Sequence, residues 1–337
     1  MKKLIIVFLS IFATGILFSQ NQTNQTNQTN QKNQTNQINQ NQEIRTGILN
    51  GPSSLPVCRL MENPELQNAR ITFQKYNTPQ NLLPKLIKNE IDIAFLPLNV
   101  AVKTFNTSNH SIEMLCVTGN GNIFLITTDE KVNKISDLQD KKITVAGQGA
   151  TPDYLFQYLL QENEISLDKK EIVLDYSVPN AQIPALLIAG KIEYAVVPEP
   201  FVTIAKTKSK KVKIAVDFQE EYKFFSKNQQ TYPLTVLVAR KDFIQKNPEL
   251  IEEFLNGYEK SYKWTIQNPT AAGKLCEKLD FGLNAKIVEK SIPNANYTFI
   301  KAQDSKEQIN EFLQILMKLD TRTVGDKLPE DDFYYAP

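Results

Sequence analysis

The chain has 337 residues, 41% of them apolar and 22% charged, with a formal net charge of +1. That length holds two ordinary domains with cores of their own, and the near-neutral charge, carried by interspersed lysines and carboxylates, removes the electrostatic case for a nucleic-acid partner. One histidine and three cysteines, with no metal or redox spacing among them, give no support to a metal centre or a His-dependent triad.

Residues 1–20 read as a secretory signal peptide. Met1, Lys2 and Lys3 form a short basic start, residues 4–18 an almost unbroken apolar run, and Ser19-Gln20 ends it. The run is short for a membrane span; an uncleaved N-terminal anchor is the alternative reading. Residues 21–43 are almost wholly Asn, Gln and Thr, which cannot bury apolar surface, so a disordered tract is expected there. Export permits disulfides. Among Cys58, Cys116 and Cys276 a 58–116 pair is conceivable, with buried free thiols the favoured reading. His110 falls in the polar stretch "NTSNHS".

Further on, the same series of elements occurs twice. "GILNGPSSLPVCRLME" from Gly47 reads as strand, Gly loop and a helix with Pro near its start, and "VAGQGATPDYLFQYLL" from Val145 repeats it. "RITFQKYN" from Arg70 and "EIVLDYSV" from Glu171 are both rich in branched and aromatic residues, as strands are. "LPKLIKNEIDIAFLPLNVAVK" and "IPALLIAGKIEYAVVPEPFVTIAK" each give helix, acidic turn, buried strand, proline loop and helix. Pro84 matches Pro184, Leu86 matches Leu186, and Pro97 matches Pro198. Two βαβαβα units therefore predict an α/β protein of two lobes, each a mainly parallel sheet flanked by helices. Strand-like runs at 121–132 and 231–243 are read as two crossings between lobes, an arrangement that makes a hinge. Lobe 1 is expected at 44–127 and 232–337, lobe 2 at 128–231. A long helix from Pro248 aligns Leu250, Phe254 and Tyr258, and a later one aligns Ile309, Phe312, Leu313 and Leu316.

These stretches, with "YPLTVLVARKDFIQKNPELIEEFL" and the closing "VGDKLPEDDFYY", resemble the exported solute-binding proteins of ABC importers. The branch is the one that binds nitrate, sulfonates, taurine or thiamine-precursor pyrimidines. The resemblance runs from Glu43 to the C-terminus. It implies a two-lobed, type II periplasmic-binding-protein fold that closes on a small solute and delivers it to a membrane permease driven by an ATPase. It implies a monomer without catalytic residues or cofactor, and a cleft lined by the loops at 50–54, 96–99, 147–151 and 197–201.

The chemistry of those loops can be read directly. Gly147 and Gly149 allow sharp turning; Thr151 suits an N-cap, Pro152 a first helical position and Asp153 a first turn. Asn50, Gly51, Pro52, Ser53 and Ser54 repeat the device. Two helix starts facing one cleft, with Gly149, Ala150 and Thr151 on the second, favour an anionic or strongly polar ligand group. Leu98 and Asn99 follow the first proline strand, and Glu199 and Phe201 the second. Glu199 is read either as a carboxylate for a ligand amine or ring N–H, or as a helix cap. Tyr176 and Phe201 offer an aromatic wall. No arginine falls within the loops, which disfavours a doubly charged ligand, although a basic residue from elsewhere fits the same picture. An anion seat with a carboxylate suits an aminosulfonate and an aminopyrimidine equally. "GQGAT" lacks the third glycine and distal acid of a dinucleotide loop, and no phosphate-binding "GxxxxGK[ST]" run exists. An enzyme on the same fold, of the pyrimidine-precursor or menaquinone-pathway type, is the alternative.

Overall fold

The computed structural model describes residues 42–167, 171–227 and 229–337. The signal segment and nearly all of the Asn/Gln/Thr tract lie outside the described residues. Residues 44–64 and 71–337 form one compact unit, described here; Gln42, Glu43 and residues 65–70 group apart from it.

Chain order begins with β1 (Gln42–Leu49), a 3-10 turn (Pro52–Val57), α1 (Cys58–Glu62), β2 (Ala69–Tyr76), α2 (Pro79–Ile87), β3 (Ile93–Pro97) and α3 (Leu98–Thr107). Then come β4 (Ile112–Asn120), β5 (Ile123–Thr127), β6 (Lys142–Val145), α4 (Thr151–Glu162), β7 (Val173–Asp175), α5 (Ile183–Ile188), β8 (Tyr194–Pro198) and α6 (Phe201–Lys208). After β9 (Lys213–Asp217) and α7 (Phe218–Phe225), the chain runs through β10 (Pro233–Arg240), α8 (Lys241–Lys246), α9 (Pro248–Gln267), α10 (Pro269–Lys278), α11 (Ala285–Ser291), β11 (Tyr297–Lys301) and α12 (Ala302–Leu319).

Two sheets result, ordered β11-β4-β10-β3-β1-β2 and β7-β6-β8-β5-β9. They share one pattern: β2-β1-β3-β10-β4 matches β7-β6-β8-β5-β9, element for element. The repeat seen in the sequence is thus a repeat of topology. β1–β3, β6–β7 and β6–β8 are parallel, while β10 and β5 run against β3 and β8. Each opposed strand is the one by which the chain enters its sheet after a crossing, so the sheets are mixed where mainly parallel ones were expected. β5 belongs to the second sheet, whereas the sequence reading put residues 123–127 in lobe 1. A five-residue apolar run cannot show which sheet receives it; the β5–β8 and β5–β9 ladders decide.

The central strands β3 (IAFLP) and β8 (YAVVP) share the pattern of four buried residues and a half-buried proline. Strands covered on both faces need such continuous apolar runs. Leu250, Phe254 and Tyr258 are buried on α9, and Ile309, Phe312, Leu313 and Leu316 on α12, as their spacing predicts. The crossings lie side by side: the Gly121 N–H donates to Tyr232 O at 2.9 Å. A Cβ on Gly121 would overlap the Tyr232 ring, so glycine is what allows this approach.

Candidate functional site

At the head of α4, Gly147 (φ 75°) and Gly149 (φ 71°) are left-handed, as a tight βα turn requires. Ala150, in extended conformation, is the N-cap in place of the expected Thr151, whose buried side chain makes no cap bond. The capping work falls to Asp153. Its carboxylate, only 3% exposed, accepts from Gly149 N–H (2.8 Å), Gln157 Nε2 (2.7 Å) and Tyr176 OH (2.6 Å). The Gly149 N–H expected to meet a ligand anion is already bonded to the helix's own acid. Burial, then the bond to Asp153, raises the Tyr176 phenol well above its usual value and holds it protonated. Tyr176 is therefore a half-buried support of this turn.

The matching turn of the first sheet is different. Gly51 has φ 122°, but the segment after it is a six-residue 3-10 turn and a five-residue α1, so no long dipole points outward. Asn50 is exposed and bonds through its N–H to Tyr76 O (2.8 Å) and through Nδ2 to Asn77 Oδ1 (2.7 Å). Ser53 is half-buried, and Ser54 is fully buried with no partner for its hydroxyl oxygen. The side chain of Pro52 lies outside the described residues.

Three further candidates have packing or capping roles. Leu98 is 1% exposed and belongs to the core. Phe201 packs against the apolar core of the second lobe. Glu199, 1% exposed, accepts from Thr203 N and Oγ1, each at 3.0 Å, and from Asn294 Nδ2 at 3.3 Å. Of its two readings, the cap of α6 is the one found. Burial raises its carboxyl above the usual carboxylate range, against the lowering effect of the Thr203 and Asn294 bonds. Asn294 lies in the 3-10 turn Ile292–Asn294 just before β11 of the first sheet, so this bond joins the lobes.

Helix starts from the two sheets do share one space. A cavity of about 570 Å³ is lined by Asn99 at the start of α3 and by Gly149 and Tyr154 at the start of α4. Gln80, Lys103, Asp320, Arg322 and Thr323 complete its polar wall. Arg322 forks onto Asp320 with both bonds at 2.9 Å, and the Tyr154 hydroxyl donates to Asp320 at 3.3 Å. The Arg322 bonds hold the Asp320 carboxyl down at about 2. Lys103 and Arg322 against Asp320 leave the wall with one surplus positive charge. Tyr154 was within the motif already singled out. Lys103 looked like any solvated helix lysine, and nothing local to residues 320–323 announces a cavity formed by residues far away in sequence.

His110 lies at the other end of α3. Its ring stacks on Phe105 at 4.0 Å, and Nδ1 meets Asp332 Oδ2 at 3.1 Å. With Glu330 and Asp332 it forms a three-residue cluster, but Lys241 and Lys327 already pair with those carboxylates and take the place a cation would have.

A family model described as the NMT1-like family matches residues 61–279. The chain belongs to the NMT1-like family. Solved structures similar to this NMT1-like protein include an ABC transporter protein from Parabacteroides distasonis, with 24% identity, TM-score 0.76, and 88% of this chain and 99% of that chain covered. The periplasmic aliphatic sulphonate binding protein SsuA of Escherichia coli follows at 15% identity, TM-score 0.69, covering 88% and 92%. The periplasmic nitrate-binding protein NrtA of Synechocystis PCC 6803 has 15% identity and TM-score 0.60, with 86% of each chain covered. No curated protein sequence matches. The two-lobed binding-protein fold expected from the resemblance is the fold of this NMT1-like chain.

Proposed function

We propose that this NMT1-like protein is an exported solute receptor that closes two lobes on a small polar solute and passes it, unchanged, to an ABC permease and its ATPase. The observation that carries the reading is the shared cavity: helix starts that follow strands of the two different sheets, Asn99 on α3 after β3 and Gly149 on α4 after β6, line one space. A ligand touching both lobes favours the closed arrangement by its differential affinity for it. The surplus charge of Lys103 and Arg322 over Asp320 favours an anion or a zwitterion, the ligand's cationic end facing Asp320 rather than Glu199. An aminosulfonate has that shape; an aminopyrimidine meets the same wall through ring N–H groups.

A catalytic role on the same fold is the competing reading. The ionisable wall of the cavity is Lys103, Tyr154, Asp320 and Arg322, with His110 placed elsewhere, and this supports capture over turnover. A thermal-shift panel of taurine, alkanesulfonates, nitrate and aminopyrimidines tests it. The expected result is a concentration-dependent rise in Tm, with the ligand recovered intact. Conversion of the ligand, or a flat response across the panel, overturns the reading. Export is checked by the N-terminal mass of the protein from cells, expected to lack residues 1–20.

A further inference from the structure

Two of the three buried thiols lie on helices packed against each other. Cys58 opens α1, and its Sγ lies 3.6 Å from Thr265 Oγ1 on α9. Cys276, on α10, directs its S–H toward Leu55 O at 4.0 Å, in the turn that leads into Cys58. The Cys58 N–H and the Cys276 S–H both point to the Leu55 carbonyl, and α1 packs on both α9 and α10. The neighbouring Cys276 and then Thr265 lower the Cys58 thiol, while the neighbouring Cys58 and burial raise that of Cys276. Cys58 is thus the better nucleophile of the pair. Cys116, raised by burial, sits on β4 between β10 and β11, so the 58–116 pair considered from the sequence is not the one the fold brings together.

We propose that Cys58 and Cys276 form a disulfide as the chain folds in an oxidising compartment, stapling the segment after the 50–54 turn to the C-terminal helices of the same lobe. The proposal rests on the export reading. The oxidant is the disulfide of a thiol oxidoreductase, or glutathione disulfide in vitro. Cys58 thiolate attacks one oxidant sulfur and the other leaves as a thiolate. Cys276 gives its proton to solvent, attacks the Cys58 sulfur of the mixed disulfide and expels the second thiolate. Two protein thiols lose two protons and two electrons, and the oxidant's disulfide becomes two thiols. Both sulfurs are fully buried in the folded chain, so the reaction belongs to the folding chain or to local opening. Closing a loop that spans most of the chain restrains the unfolded state strongly.

The test is refolding of the full chain in mixed reduced and oxidised glutathione, followed by thiol counting in denaturant and peptide mapping without reduction. One free thiol, on Cys116, and a cross-linked peptide pair carrying Cys58 and Cys276 are expected; Cys116→Ser keeps the link and Cys58→Ser removes it. Reduction should lower Tm by about 5–10 °C. Three free thiols after refolding, a link through Cys116, or a link whose reduction leaves Tm unmoved would overturn the proposal. Refolding in vitro reads the pair wherever the cell sends the chain, and ligand-induced shifts are read separately on both redox forms, so failure of the receptor reading is distinguishable.

Discussion

Lys103 and Arg322 set the sign of the cavity. Replacing either with Ala should weaken binding of an anionic ligand about tenfold, read by calorimetry, and leave a neutral ligand little affected. Equal losses for both ligands would detach these residues from recognition. Glu199 makes a different prediction. Its carboxyl is raised in the folded chain by burial, so its contribution to stability is fully present below the ordinary glutamate value and is lost as pH rises through the raised one. Wild type should therefore lose Tm relative to Glu199→Gln as pH rises above the ordinary glutamate value. Asp320 has the opposite sign: its contribution is present above the ordinary aspartate value and is lost as pH falls toward about 2. Parallel Tm curves for wild type and Glu199→Gln would show that burial does not raise the Glu199 carboxyl.

Among the elements, the two helix starts show how far a local motif can be trusted. "GQGATPD" forms the predicted Gly turn and helix, because φ preferences and N-terminal Pro and Asp act within one turn of chain. Yet Asp153, read as a simple first-turn acid, is the hub to which Gly149, Gln157 and Tyr176 donate. Asp153→Ala should cost about 2 kcal/mol, since buried donors lose their acceptor, and this is measurable from the denaturation midpoint. An unchanged midpoint would mean that water replaces the carboxylate. The matching start after Gly51 looked equivalent in sequence and folded as a 3-10 turn, with Ser54 buried and Leu55 bound into the α1–α10 contact. Packing there decides the helix type; intrinsic preference does not.

For the whole molecule, the lobes are joined by contacts between residues remote in sequence, which on the proposed reading hold the closed form. Asn294 reaches Glu199, Tyr154 reaches Asp320, and the Lys227 N–H reaches Glu311 at 2.6 Å. The double variant Asn294→Ala, Tyr154→Phe removes two of these bonds between lobes. It should populate more open forms, raise the scattering radius of the unliganded protein and weaken ligand binding several-fold through the smaller competent fraction. Unchanged scattering and affinity would show that the hinge alone sets closure. At that hinge, Gly121→Ala should cost about 1–3 kcal/mol, because the Tyr232 ring occupies the space the methyl needs.

The repeat, the two-lobed α/β class, the strand and helix sequence and the amphipathic faces of α9 and α12 follow from the amino-acid order itself, because period, proline and glycine act over a few residues. Tertiary structure decided the rest. It placed β5 in the second sheet, buried Leu98 in the core and packed half-buried Phe201 against the core of the second lobe, made Glu199 a cap, and brought Asp320, Arg322 and Gly149 to one cavity. The physical reason is common to all four: the direction a side chain faces and the partner it meets are set by burial against distant segments, and no local pattern encodes that.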